Sequence, residues 1–272
     1  LVGLMPLNVI LDAGKYFLKK QNRSTGISEA EIIKIAVKTM GLDELTSFDP
    51  KKKIIEYLLE ADQKTPLLDM TLPDFANETA SESPAPGGGS ISAYVGSLGI
   101  SLGTMVANLS SHKRGWDHRW EEFSDYADQG QAIKDRLLAM VDEDTNAFNE
   151  IMNAFRLPKG SESEKAARKN AIQNATKYAV EVPLKVMETS LESMTVIQKM
   201  AEIGNPNSVT DAGVGALCAR AAVYGAFLNV KINLGGLEDL GYVETAKEKA
   251  QELLNKANQT EIEIMKIVEG KI

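Results

Sequence analysis

Leu137, Val141, Phe148, Ile151 and Phe155 recur at helical spacing and mark one apolar face, and Asp144 stands where that series calls for another apolar residue. A carboxylate on such a face is expected to point toward the core. Burial there disfavours its charged form and raises its pKa, which suits it to accept and return a proton near neutral pH. The alternative is a structural carboxylate paired with a cation such as Arg220, because ion pairs also perturb buried acids; the functional reading is favoured, since perturbed acids cluster at sites. Asp142, two residues earlier, falls off the stripe and is expected on the solvated face.

The run Pro84-Ala85-Pro86-Gly87-Gly88-Gly89-Ser90 is the second candidate. Prolines end one element and glycines open the next, and three consecutive glycines are costly unless the backbone geometry needs them. Free N–H groups at the helix start would bind a carboxylate or a ring carbonyl; a tight turn between helices explains the run equally well. No Gly-Lys-Ser/Thr follows, so this is not a Walker loop. Downstream, Gly89, Ala93, Gly96, Gly103 and Ala107 line one side of a helix and predict close helix packing, within the chain or across a dimer interface. His112, Lys113 and Arg114, with His118 and Arg119 behind them, complement a helix C-terminus and form the best local patch for an anionic ligand. Asn229 and Asn233 lie one turn apart among apolar residues, and buried amides need partners: each other, nearby backbone, or a heterocycle. Asp211, after Ser208 and Thr210, is a helix N-terminal dipole partner.

Composition limits the function classes. The 272 residues carry a formal charge of −8 with 43% hydrophobic and 6% aromatic side chains, which argues against a nucleic-acid binder and for close helix packing over bulky sheet cores. A single cysteine, Cys218, and two histidines make a disulfide framework or a zinc site implausible, so no metal is expected. A reducing, cytoplasmic setting is expected. The stretch 83–111 has no charged residue, yet its Gly, Ser, Thr and Asn content predicts a buried helix of a soluble bundle rather than a membrane span. The sequence opens without Met at Leu1-Val2-Gly3-Leu4 and reads as a piece of a longer polypeptide.

Periodicity is helical throughout. Three short helices are expected in the first sixty positions: after Pro6, after a Ser28/Glu31 capping box, and after Asp49-Pro50. A polar connector, 61–65, leads to five long helices at about 89–112, 116–155, 162–203, 211–234 and 238–268, broken by Gly and Pro clusters. Pro183 should kink the third near Ala179. In the last, Val243, Ala246, Ala250, Leu253, Ala257, Thr260, Ile264 and Ile267 form a packing seam. The fold class is all-α, an antiparallel bundle.

These motifs, in this order, resemble a known family. Ser83 through Ser90, Val141-Asp142-Glu143-Asp144-Thr145-Asn146-Ala147-Phe148, Leu157-Pro158-Lys159, Val182-Pro183-Leu184-Lys185, Ser208-Val209-Thr210-Asp211 and Asn229 through Leu234 are similar to the cyclodeaminase domain of formiminotransferase-cyclodeaminase. Leu1 through Leu7, Phe48-Asp49-Pro50 and Ile54 through Leu58 resemble the tail of its transferase domain. The resemblance implies three segments: 1–60 the helical remnant of an α+β transferase domain, 61–65 a linker, and 66–272 a five-helix orthogonal bundle working as a homodimer or a ring of dimers. It implies Asp144 as catalytic proton donor and acceptor, and Gly87, Gly88, Gly89, Ser90, Lys113, Arg114, Asp211, Asn229 and Asn233 as the folate contacts. The implied substrate is a polyglutamylated folate, with no cofactor beyond it, and neither nucleic acid nor membrane as partner. The implied reaction closes 5-formimino-tetrahydrofolate to 5,10-methenyl-tetrahydrofolate and releases ammonia, with the parent protein's transferase domain supplying the substrate. The alternatives are a methenyl-tetrahydrofolate cyclohydrolase of the same fold and a non-catalytic helical oligomerisation module.

Overall fold

Helices are the only regular elements in the computed structural model, which describes residues 3–59 and 67–272. The connector expected at 61–65 lies outside the described residues, as do Leu1 and Val2. The N-terminal unit holds α1 (Leu7–Lys20), α2 (Glu29–Thr39), α3 (Pro50–Lys53) and α4 (Ile55–Leu59). Pro6 precedes α1, and the Ser28 hydroxyl accepts the Glu31 N–H at the start of α2. The third expected helix is split, because Ile54 turns extended to form an isolated parallel bridge with Met5. Met5 N–H donates to the Lys53 carbonyl (2.9 Å) and Ile55 N–H to the Met5 carbonyl (3.0 Å). Ile10, Ile33, Ala36, Val37 and Ile54 close a small core of their own.

This unit is fastened to the rest of the chain at buried Ser24 and Thr25. Thr25 N–H donates to Ser124 Oγ (2.9 Å), and the Gly26 carbonyl accepts from Asn108 Nδ2 (2.7 Å) and Gln131 Nε2 (3.2 Å). A side chain at Gly26 would overlap the backbone at Ala127 and Asp128, so the strand of chain lies directly on the helix beneath it.

A short α5 (Leu72–Thr79) follows, which periodicity did not predict. Its signal is local: Thr71 Oγ1 accepts the Asp74 N–H, and Pro73 sits in the first turn. The five long helices are α6 (Gly88–Ser111), α7 (Trp120–Phe155), α8 (Glu162–Ile203), α9 (Val209–Leu234) and α10 (Leu240–Glu269). The third matches the expected bounds and the others shift by one to four residues, with short 3-10 turns (Asp117–Arg119 and Pro206–Ser208) leading into α7 and α9. Cross-contacts give the direction of each. Ser90 meets Asp144 and Ser111 meets Trp120 across α6 and α7, so the pair is antiparallel. Arg136 pairs with Glu192 and Lys185 with Glu143 across α7 and α8, again antiparallel. α10 runs with α8, since Lys177 meets Asp239 at one end and Lys271 meets the Ala201 carbonyl at the other.

The glycine stripe of α6 is an internal seam. A methyl at Gly99 would sit 2.8 Å from the Gly215 carbonyl oxygen, and one at Gly215 would sit as close to the Gly99 carbonyl, so the α6 and α9 backbones touch there. Gly96 faces Ser190 and Ala222, and Gly103 faces Ile197. The two helices long and apolar enough to cross a membrane, Gly88–Ser111 and Pro206–Leu234, are these two seam helices, with 61% and 50% of their apolar windows buried inside the fold. The seam of α10 is corrected in register. Ala246, Ala250, Leu254, Ala257, Ile264 and Val268 are buried, whereas Val243, Leu253 and Ile267 flank them. The buried row follows the straight-helix period of about 3.6 residues rather than the coiled-coil repeat.

Candidate active site

Unequal helix lengths create the site. α6 has 24 residues and α7 has 36, roughly 36 Å against 54 Å at 1.5 Å per residue. They start together at the Ser111–Trp120 end, so α6 runs out where its first turn meets Asp144. Beyond that point α7 overhangs. Leu137 and Val141, under α6, are fully buried, but Phe148 and Phe155 on the same stripe are 39% and 50% exposed. Past Asp144 the expected apolar face is therefore only partly covered: Ile151 packs against Ala179 and Val182 of α8, while Phe148 and Phe155 stay exposed. Asp144 stands half-buried at the edge of the core rather than inside it.

The Asp144 carboxylate closes the start of α6. Its Oδ2 accepts from Ser90 N–H (2.9 Å) and from Ser90 Oγ (3.2 Å), and the Ser90 hydroxyl also reaches the Val141 carbonyl (2.8 Å). The first helical N–H groups have no intrahelical acceptor, so a carboxylate is a natural partner there. A methyl on Gly89 would overlap Asp144 Oδ1, which explains why this position has no side chain. Asp144 makes no ion pair among the described residues, and Arg220 is not its partner. Oδ1 accepts no hydrogen bond among the described residues. Burial raises the Asp144 pKa above its ordinary value, and the two Ser90 hydrogen bonds oppose that shift only in part.

Facing Asp144 are Asn229 and Asn233, which do not bond each other. Asn229 Nδ2 donates to the Gly225 carbonyl (2.9 Å) and Asn233 Nδ2 to the Ala179 carbonyl (2.7 Å). A carbonyl oxygen can only accept, so chemistry fixes which end of each amide faces the backbone. Among the described residues neither Oδ1 accepts a hydrogen bond. Together with Asp144, Gly87, Gly88, Thr145 and the ledge residues Phe148 and Ile151, both asparagines line a cleft of about 130 Å³. That is below the roughly 300–1,000 Å³ that encloses a drug-sized molecule, so the cleft has room for no more than one end of such a ligand. Among the described residues no three His, Cys, Asp or Glu side chains converge.

Three expected contacts lie elsewhere. Lys113 and Arg114 follow the far end of α6, a helix length from Gly88. Lys113 Nζ sits 4.1 Å over the Trp116 ring, as a cation–π partner and helix C-terminal charge. Asp211 opens α9, whose other end carries Asn229, roughly 27 Å away at helical rise. These residues cannot reach a head group at Asp144 within one chain. The cations at the cleft's own end were missed in the sequence: Lys159, Lys165, Arg168 and Lys169, with Gln173 and Glu238, line a groove of about 550 Å³. Gln173 Nε2 donates to the Gly236 carbonyl (2.9 Å), three residues beyond Asn233. Asp142 also departs from expectation. It is 7% exposed, and its Oδ1 accepts the Leu67 N–H (3.1 Å). It tethers the chain that leads into α5, a tertiary contact that periodicity does not report.

Because the folded-state pKa of Asp144 is raised, the folded protein binds this proton more tightly than the unfolded chain. Its contribution to stability is therefore greatest at low pH and declines as pH rises from the ordinary carboxylate range through the raised value. Asp144→Asn is expected to unfold no more easily than the parent at pH 7.5, with the difference shrinking toward pH 4. Thermal unfolding across that range checks this, and a large loss of stability at pH 7.5 would contradict the assigned environment.

Residues 71–252 match the model of the family described as formiminotransferase-cyclodeaminase, and residues 1–60 match the formiminotransferase domain. The formimidoyltransferase-cyclodeaminase of Rattus norvegicus is 36% identical over 258 residues, covering 94% of this chain and 48% of that protein. The chain thus spans about half the length of the curated relatives of that name. The methenyltetrahydrofolate cyclohydrolase of Methylorubrum extorquens is 34% identical over 202 residues, covering 74% of this chain and 97% of that protein. Among solved structures, formiminotetrahydrofolate cyclodeaminase from Thermotoga maritima matches with a TM-score of 0.67 and 27% identity, over 75% of this chain and 98% of that one. With its helices, its matched domains and its relatives in agreement, the chain belongs to the formiminotransferase-cyclodeaminase family.

Proposed function

We propose that this chain closes 5-formimino-tetrahydrofolate to 5,10-methenyl-tetrahydrofolate and releases ammonia, an ammonia-lyase step in one-carbon metabolism that follows formimino transfer in histidine breakdown. The observation that carries the reading is Asp144: a raised-pKa carboxylate in the wall of a cleft that Asn229 and Asn233 also line, with one oxygen held by Ser90 and the other without a hydrogen bond among the described residues. The amide and carboxylate oxygens suit a ligand head rich in N–H groups, such as an amino-pterin bearing a formimino group. N10 attacks the protonated formimino carbon on N5, a ring closure that depends on imposed orientation. Asp144 Oδ1 takes the N10 proton, leaving a neutral adduct with an amino group on the bridging carbon. The same proton then passes to that amino nitrogen. Ammonia departs as the N5 lone pair forms the methenyl cation, and the carboxylate is restored. A carboxyl with a raised pKa holds the proton between the two steps.

The cyclohydrolase reading has a specific support in the Methylorubrum relative, which this chain covers almost entirely. Following methenyl absorbance and ammonia with each substrate separates the two. We expect ammonia release from 5-formimino-tetrahydrofolate, at least a thousandfold slower in Asp144→Asn, with the acid limb of kcat/KM above the ordinary carboxylate value of 3.8. Full activity in that variant sinks the proposed role of Asp144. Hydration of the methenyl bridge without ammonia release selects the cyclohydrolase instead.

The same reading places the glutamyl tail of a polyglutamylated folate along Lys159, Lys165, Arg168 and Lys169, whose groove lies at the cleft's end of the fold. Lys165→Glu with Arg168→Glu is expected to raise KM for a pentaglutamate substrate at least fivefold more than for the monoglutamate; equal changes for both would remove the tail from this groove.

A homodimer is proposed through the exposed face of α9, where Val214, Leu217, Tyr224, Leu228 and Ile232 form an apolar row left 42–76% exposed among the described residues. Sedimentation equilibrium is expected to give a dimer for the parent and a monomer for Leu217→Glu with Leu228→Glu; a parent that stays monomeric at micromolar concentration overturns it.

A further inference from the structure

The two asparagine amides at the cleft are held differently. Asn229 bonds a carbonyl of its own helix, one turn back. Asn233 crosses to α8 and bonds the carbonyl of Ala179, four residues before Pro183. In an α-helix that carbonyl is the acceptor for the N–H at position 183. Proline has no N–H, so α8 leaves the Ala179 carbonyl unpaired at this point. Ala179 and Asn233 both line the cleft. The proline thus leaves, in the cleft wall, a carbonyl without its regular helical donor, and the Asn233 amide supplies one. With its nitrogen pinned, the planar amide has one orientation, and its Oδ1 is turned away from α8 and stands open at the cleft.

We infer that Pro183 and Asn233 act as a positioning pair: the carbonyl freed by the proline locks the Asn233 amide so that its Oδ1 is a fixed acceptor for an N–H of the bound head group. The inference rests on the reading of this cleft as the folate site. Without the proline, the N–H of residue 183 would compete for the Ala179 carbonyl. A carbonyl that already accepts a helical N–H holds a second donor less firmly, so the Asn233 amide would turn more readily and present either end to the ligand. A fixed acceptor accepts only a donor; a free amide accommodates both. Pro183 is therefore a positioning residue for substrate recognition, although its own side chain does not line the cleft.

The test uses steady-state kinetics with 5-formimino-tetrahydrofolate and thermal unfolding on the full chain. Pro183→Ala restores the helical N–H, so its unfolding midpoint is expected to equal or exceed the parent's. Its KM is expected to rise about tenfold, the loss of one well-placed hydrogen bond, with kcat changed by less than about twofold. Asn233→Ala should raise KM to a similar degree, and adding Pro183→Ala to it should change nothing further, because the two act as one unit. Asn233→Asp supplies a second reading that does not depend on the proline variant folding well. Aspartate keeps an acceptor toward the cleft but cannot donate to the Ala179 carbonyl, so its KM should rise at least as much as that of Asn233→Ala. An unchanged KM in Pro183→Ala, or a parental KM in Asn233→Asp, overturns the positioning role. The site assignment itself is tested apart from this by Asp144→Asn: if that variant turns over normally, the folate reading fails whatever the proline does.

Discussion

The contact between the Asp144 carboxylate and the first turn of α6 sets the geometry of everything around it. One oxygen is spent on the Ser90 N–H and hydroxyl, which satisfies a helix-start donor that would otherwise be unpaired. The other oxygen accepts no hydrogen bond among the described residues. For the carboxylate to come this close, Gly89 must lack a side chain, and for α6 to end here, α7 must outlast it. The glycines before Ser90 therefore follow from the placement of a single acid. The raised pKa has the same origin, since the acid is half covered by the helix it caps and pairs with no cation among the described residues.

The bundle supplies the rigidity that such a contact needs. α6 and α9 touch backbone to backbone at Gly99 and Gly215, which fixes their relative height along the seam. That height determines whether Gly88 meets Asn229 or slides past it, and the amide of Asn229 indeed lies against Gly88. Small residues here serve position as much as packing. Each interior glycine costs about 1 kcal/mol in helix propensity, and the close approach it permits returns contact area along both helices. The basic cluster at Lys113 and Arg114 belongs to the opposite end of this seam, where it complements the α6 C-terminus and Lys113 lies over Trp116.

A proline within a long helix is normally a defect, and α8 passes through Pro183 without ending. The unpaired carbonyl it leaves is absorbed by Asn233 from a neighbouring helix. Two local irregularities, a proline on one helix and a part-buried amide on its neighbour, thus cancel each other at the cleft wall. On the proposed reading the cancellation also orients the ligand's contact, which links a backbone rule to substrate recognition.

Asp144, the glycine run and the two asparagines were legible in the sequence because each breaks a local pattern: an acid in an apolar stripe, three glycines in a row, amides on a greasy helix. The five long helices were legible for the same reason in reverse, since period and Gly/Pro breaks are local properties. Residues 71–79 hid α5 because eight residues carry too little periodicity. Other features depended on which helix ends where. Asp142 is off the stripe yet buried, because a segment 75 residues away in sequence lays the Leu67 N–H upon it. Phe148 and Phe155 are on the stripe yet exposed, because α6 is shorter than α7. Lys113, Arg114 and Asp211 look like partners of the glycine loop in a list of motifs, but helical rise carries them to the far end. Sequence alone determined which residues were out of place in their helices. Only the tertiary structure decided which of those meet, because the height at which antiparallel helices pack is set by close contacts between residues distant in the chain.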